Sequence, residues 1–206
     1  MTHRLLFALT CSFFLFACQE AAEPPAAPEL PNILWIVTED NSPWLGSYGD
    51  ELATTPHLDA LATESIRYTR AYSNAPVCAP SRNALITGAY PIAYGTEHMR
   101  STFKMPETIR FYPEYLREAG YYTTNNAKKY YNTVDRPDAW DESSGQATYR
   151  NRAEGQPFFH INNLNTSHES RLHYGSQAEN HDPDAVQLAP YHPDTPEARN
   201  DYAVYY

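Results

Sequence analysis

Blocks of apolar residues, broken by short polar stretches, set the rhythm of this chain. Asn32-Ile33-Leu34-Trp35-Ile36-Val37-Thr38 is almost unbroken apolar sequence and stops abruptly at Glu39-Asp40-Asn41. A short continuous run of this kind predicts a central strand of a parallel sheet, covered on both faces. Thr55-Pro56 opens a helical pattern through Ala62, with Thr55 as N-cap and Pro56 at the first helical position. Residues 65–72 alternate as a strand would. Residues 83–87 read as a helix, with Pro80 in its first turn and Gly88 as its stop. An amphipathic helix is predicted from Thr108 to Glu118, closed by Gly120, and strands at 121–126 and 157–165. Residues 132–156 are polar and irregular, as an insertion over the sheet would be, and a last helix starts at Thr195. Strands alternating with helices predict an α/β fold with a mainly parallel central sheet.

The first residues fall outside that rhythm. Arg4 precedes an apolar stretch from Leu5 to Phe16, the pattern of a secretory signal and too short for a spanning helix. It ends in Leu15-Phe16-Ala17-Cys18, which resembles a bacterial lipoprotein box with Cys18 as the acylated residue. The Pro/Ala/Glu-rich stretch that follows reads as a tether. The predicted organisation is therefore a signal at 1–17, a tether at 18–30 and a folded part from 31 to 206. An exported bacterial lipoprotein, held at a membrane through its lipid anchor, is the expected location. The formal charge of −10 argues against nucleic acid as a partner. Of three cysteines, only Cys78 lies beyond the leader, so no disulfide framework is expected.

The chemistry gathers around Cys78-Ala79-Pro80-Ser81-Arg82. Cys78 is placed where free backbone N–H groups at a helix start favour an anion, and Arg82 lies one turn on. A lone cysteine equally serves as a buried structural residue, so its neighbours decide. Glu39 and Asp40 stand at the carboxyl end of the first predicted strand, where sites form in open α/β sheets. Their oxygens suit a hard cation or plain solvation. Lys128 and Lys129 follow the 121–126 strand, and His168 follows the 157–165 strand as a candidate acid or base. His98 and Arg100 are candidate substrate-pocket residues on what could equally be a surface loop.

Together these residues resemble the type I, formylglycine-dependent sulfatases of the alkaline-phosphatase superfamily. Cys78-Ala79-Pro80-Ser81-Arg82 matches the family's C-x-P-S-R core, with Leu85-Ile86-Thr87-Gly88 at the family spacing. The resemblance implies an alkaline-phosphatase-like α/β/α sandwich, of which this chain is the N-terminal part. It implies that a formylglycine-generating maturation enzyme converts Cys78 to Cα-formylglycine. Hydrated, that residue attacks the sulfur of a sulfate ester, here expected on a sulfated carbohydrate. A divalent cation, Ca²⁺ or else Mg²⁺, is implied on Glu39, Asp40 and residue 78. Arg82 would steady the hydrate, Lys128 would bind hydrate and sulfate, and His168 would protonate the leaving oxygen. Glu39 replaces the commoner Asp, and Ala127 and Tyr130 stand where Gly and His are usual, leaving Tyr130 as a substitute donor. Further cation ligands and another active-site lysine are expected beyond residue 206, so the chain is expected to be incomplete. Two other readings remain open: a phosphonate or phosphodiester hydrolase of the same superfamily, and a truncated, non-catalytic glycan-binding lipoprotein.

Overall fold

Ile33–Thr38 forms the first strand, β1, and it is joined by β2 (Tyr122–Asn126), β3 (Glu142–Ser143) and β4 (Phe158–Leu164). The computed structural model describes residues 29–173 and 181–206. The signal at 1–17, the lipidation candidate Cys18 and nearly all of the 18–30 tether lie outside the described residues. The strands form one sheet in the order β1-β4-β2-β3, and every pair is parallel. The sheet therefore needs crossover connections, which is why the chain alternates between strand and helix.

Register sets which residues share a face. Ile33 lies opposite Phe159 and Trp35 opposite Ile161, while Thr123 lies opposite Phe159 on the other side of β4. This face packs on α2 (Cys78–Thr87) and α3 (Tyr112–Glu118). Ile86, Phe111, Tyr131, Trp140, Phe159 and Ile161 make the core there, with Ile33 and Val37 against it. Burying a side chain of this size contributes about 1.5–3 kcal/mol.

The opposite face is covered unevenly. Tyr149 stacks on Phe158 at 4.4 Å and meets the His160 ring edge-on at 5.5 Å. His160 Nδ1 lies 2.6 Å from Thr124 Oγ1, and burial pushes the imidazole pKa down. Over β1 that face is open: Leu34 is 54% and Ile36 62% exposed. The expectation that β1 is covered on both faces is thus met on one face only among the described residues. The helices α2 and α3 both lie on the side of Ile33 and Val37.

Several local expectations shift for identifiable reasons. The helix α1 (Pro56–Thr63) has Thr55 at its N-cap position, but that hydroxyl does not cap it. Instead Thr55 Oγ1 donates to Asp59 Oδ1 at 3.0 Å and accepts from the Gly46 N–H at 3.0 Å. Residues 65–72 form no strand, because no other described strand runs beside them to complete a ladder. Ile66, Tyr68 and Tyr72 are accordingly exposed. The helix predicted from Thr108 starts at Tyr112, where the Phe111 N–H donates to Glu114 Oε1 at 2.9 Å and fixes the first turn. The 132–156 segment is largely irregular, yet it contributes β3 to the sheet edge. The last helix, α4 (Pro196–Tyr205), is capped by Thr195 Oγ1, which accepts from the Ala198 N–H. Among the described residues no helix is long and apolar enough to cross a membrane.

Gly88 ends α2 with φ 67°, in the left-handed region, its N–H donating to Ala84 O at 2.9 Å. An added Cβ there would meet no atom within 4 Å. Gly88→Ala therefore costs only the backbone preference, about 1–2 kcal/mol. A denaturant midpoint lowered by that amount, with an unchanged slope, is the expected result.

Candidate active site

The side chains of the site are delivered by the carboxyl ends of parallel strands, by the start of α2 and by the 96–101 loop. Cys78 is the first residue of α2, after Val77 at the cap position in extended conformation. It is half-buried and unbonded to another cysteine. It lines two neighbouring clefts, as do Asp40, Pro76 and Val77. The larger, of about 690 Å³, also takes Met99, Arg100, Lys128, Lys129, Tyr130, His168 and Glu169 into its wall. The other, of about 660 Å³, includes Glu39, Ser81 and Arg82. Cys78, Lys128 and His168, far apart in the chain, thus face one space.

Arg82 and Glu39 meet behind that space. Arg82 is 8% and Glu39 4% exposed, and Arg82 Nη2 donates to Glu39 Oε1 at 2.9 Å. Lys128 Nζ donates to the second carboxylate oxygen, Oε2, at 2.9 Å. Burial pushes the Glu39 carboxyl up, but hydrogen bonds from Lys128 and Arg82, and their charges, outweigh it and hold the pKa below the usual carboxylate range. Arg82 lines one of the two clefts together with Cys78. Its guanidinium is held by Glu39, by Asn163 Oδ1 at 2.6 Å and by Lys128 O at 3.4 Å.

A chain of amides supports this group. Asn163 Nδ2 donates to Asn125 Oδ1 at 3.0 Å and to Asn126 O at 3.1 Å, and Asn125 Nδ2 donates to Ser143 Oγ at 3.1 Å. The relay crosses β4, β2 and β3 beneath the ion pairs. Sequence reading passed over Asn125 and Asn163, although asparagine inside a strand is itself an anomaly worth a question. Asn163→Ala leaves an Arg82 N–H and two backbone or amide partners unsatisfied, with an expected loss of about 2 kcal/mol in chemical unfolding.

Asp40 and His168 occupy the rim. Asp40 adopts φ 51°, and its Oδ2 accepts from the Glu169 N–H at 2.9 Å. Ser167 Oγ donates to Glu39 O at 2.6 Å, which ties the loop after β4 to the end of β1. The Ser170 N–H donates to His168 Nδ1 at 3.2 Å. That makes Nδ1 an acceptor, so a neutral His168 ring carries its proton on Nε2. Tyr130 lines the cleft, at φ 45°. His98 does not: it is exposed, and its part here is a backbone carbonyl that accepts from Asn132 Nδ2. Asn132, buried and also missed from sequence, holds the 96–101 loop against the site.

The divalent cation implied for Glu39, Asp40 and residue 78 can be tested against this arrangement. Both Glu39 oxygens are held by cations, and one Asp40 oxygen by a backbone N–H. Among the described residues no group of three or more His, Cys, Asp or Glu side chains is arranged to hold a metal ion. The described residues therefore do not form a cation shell.

The parallel α/β sheet thus carries a polar cleft at its carboxyl ends, with a helix-start cysteine in that cleft. The sequence model of the sulfatase family, described as Sulfatase, matches residues 31–206, and the chain belongs to that family. It is similar to an ulvan-active sulfatase of Formosa agariphila, with 42% identity over 193 residues, 82% of this chain and 32% of that protein. It is also similar to mouse iduronate 2-sulfatase (Mus musculus), with 33% identity over 62% of this chain and 23% of that protein. Human N-acetylgalactosamine-6-sulfatase is 38% identical over 46% of this chain and 20% of its own length. The chain thus spans a third or less of these relatives. Among solved structures, one described as a 2-O GAG sulfatase superposes with a TM-score of 0.58 at 18% identity, over 80% of this chain and 41% of that one. Another, described in complex with its substrate D-glucosamine-2-N,6-O-disulfate, superposes with a TM-score of 0.56 at 24% identity, over 65% and 34%. The fold is the alkaline-phosphatase-like α/β architecture of the sulfatases.

Proposed function

We propose that this chain carries the nucleophile-bearing part of a sulfuric ester hydrolase acting on sulfated carbohydrates. The observation that carries the reading is the convergence of Cys78, Lys128 and His168 on one cleft, with Arg82 and Glu39 buried behind it. The relatives' names support the substrate class, since each is a sulfatase of a sulfated sugar or polysaccharide.

In this reading a maturation enzyme converts Cys78 to formylglycine. The modified residue would supply a hydrated aldehyde, one hydroxyl attacking sulfur and the other reopening the carbonyl to release sulfate. Residue 78, at the first position of α2, presents that group to the cleft with the helix dipole behind it. Lys128 contributes positive charge to the sulfate oxygens and is itself held by Glu39. Arg82, fixed by Glu39 and Asn163, sets the electrostatic floor under the nucleophile. His168 offers its Nε2–H as a hydrogen bond to the oxygen of the departing alcohol, where negative charge develops. No step is assigned to a cation, because the described residues do not by themselves form a cation shell. Export and anchoring through Cys18 belong to the same proposal, on the sequence pattern alone.

Two measurements test the reading. The mass of the Cys78 peptide, after co-expression with a formylglycine-generating enzyme, is expected to be that of the aldehyde or its hydrate. Sulfate release from sugar sulfates is expected to exceed turnover of aryl phosphates and phosphodiesters. An unmodified thiol in an active preparation, or faster phosphodiester cleavage, would overturn it.

A further inference from the structure

We infer that Arg100 forms a second anion subsite, so that the preferred substrate is a sugar sulfate bearing another sulfate or a carboxylate beside the scissile one. The inference rests on the hydrolase reading above for the place of the scissile sulfate. A separate recess of about 280 Å³ opens beside the reaction cleft, and Arg100, Lys129 and Tyr130 line both. Its size suits one charged substituent rather than a second sugar.

Charge pairing singles out Arg100 among the cations around these two spaces. Lys128 is held by Glu39, and Lys129 Nζ by Asp135 Oδ2 at 2.8 Å. Arg82 is buried against Glu39. Arg100 has no carboxylate or hydrogen-bond partner for its side chain among the described residues. A guanidinium at the junction of two clefts, without a partner among the described residues, suits a planar or tetrahedral oxyanion.

The backbone beneath it is built with care that a plain surface loop does not need. Arg100 adopts φ 59°, in the left-handed region that a residue with a Cβ enters at a cost. Buried Asn132 clamps both sides of it: Nδ2 donates to Thr96 O at 2.8 Å and to His98 O, and Oδ1 accepts from the Ser101 N–H at 2.8 Å. Asn83, from α2 itself, accepts from Thr96 Oγ1 at 2.8 Å and donates to Tyr131 O at 2.9 Å. The helix that carries Cys78 is thereby linked to the loop that carries Arg100. Asp40 and Glu169 also line the larger cleft, so the scissile sulfate and the second anion are not served by one diffuse positive field. Tyr130, half exposed between the spaces, offers a ring face to the sugar.

The test measures binding, independently of turnover. Full-length protein carrying Cys78→Ala is titrated calorimetrically with a monosulfated sugar, its disulfated counterpart, and a monosulfated disaccharide containing a uronic acid. At least one dianionic ligand is expected to bind about tenfold more tightly than the monosulfated one. Which of the two does so identifies sulfate or carboxylate as the second anion. Arg100→Gln is expected to abolish that difference while changing the monosulfated affinity by less than about twofold, and Arg100→Lys to keep part of it. The inference is overturned if the three ligands bind alike before mutation, if Arg100→Gln leaves the difference intact, or if it weakens all three equally. Arg100 is exposed, so its variants are expected to unfold at the wild-type midpoint, which separates loss of the subsite from loss of fold. Should sulfate release fail for every ester while the Arg100-dependent difference persists, the hydrolase reading falls and the subsite stands.

Discussion

Cys78→Ala is expected to lower sulfate-ester hydrolysis by about 10⁴-fold or more, because it removes the attacking group itself. The fold is expected to tolerate the change. Cys78 is only half-buried at the first position of α2, no bonded partner is lost, and alanine is the best helix former. Unfolding free energy should move by no more than about 0.5 kcal/mol. Cys78→Ser sharpens the point: a serine ester lacks the second hydroxyl that reopens the carbonyl, so a single slow turnover followed by arrest is expected. Sulfate release over time, with unfolding measured on the same samples, checks both. Wild-type turnover by the alanine variant would remove Cys78 from the mechanism.

Glu39→Ala is expected to destabilise the protein by about 3–5 kcal/mol, since it strands a buried guanidinium without its counter-charge. Arg82 and Glu39 are both nearly inaccessible, and Glu39 also holds Lys128. The burial that makes the pair costly to break also makes it replaceable as a unit. Glu39→Ala combined with Arg82→Met is therefore expected to recover a large part of the loss. The same carboxylate makes stability acid-sensitive. Its pKa is held below the usual range, so its contribution is complete above the unfolded value, about 4.3, and fades as pH falls through the lower folded value. Glu39→Gln should flatten the stability profile in that acidic window and nowhere else. Chemical unfolding of the single and double variants across that range is the measurement, and additive losses would refute the coupling.

Much of this architecture is legible from local pattern. The apolar runs at 33–38 and 158–164 are strands because their side chains have cover on at least one face, and Gly88 stops α2 because its backbone is left-handed. The placement of Glu39, Lys128 and His168 near one edge follows from parallel strands sharing a direction. What escapes sequence reading is contact between side chains distant along the chain. Asn163 meets Arg82 across 81 positions, and Asn132 reaches Thr96 across 36. No periodicity encodes such a meeting. The 65–72 segment fails for the complementary reason: alternation describes a strand only when a neighbour completes the ladder.

The open side of β1 has a consequence for how this polypeptide behaves among other molecules. Its outer edge lies in no ladder among the described residues, and Leu34 and Ile36 stand bare beside it. An uncharged, proline-free, β-favouring hexapeptide in that condition is a template for a further extended strand. Among the described residues, the edge most ready to accept another strand therefore lies immediately upstream of Glu39 and Asp40. The strand-accepting edge and the buried carboxylate of Glu39 are thus parts of one short run of chain.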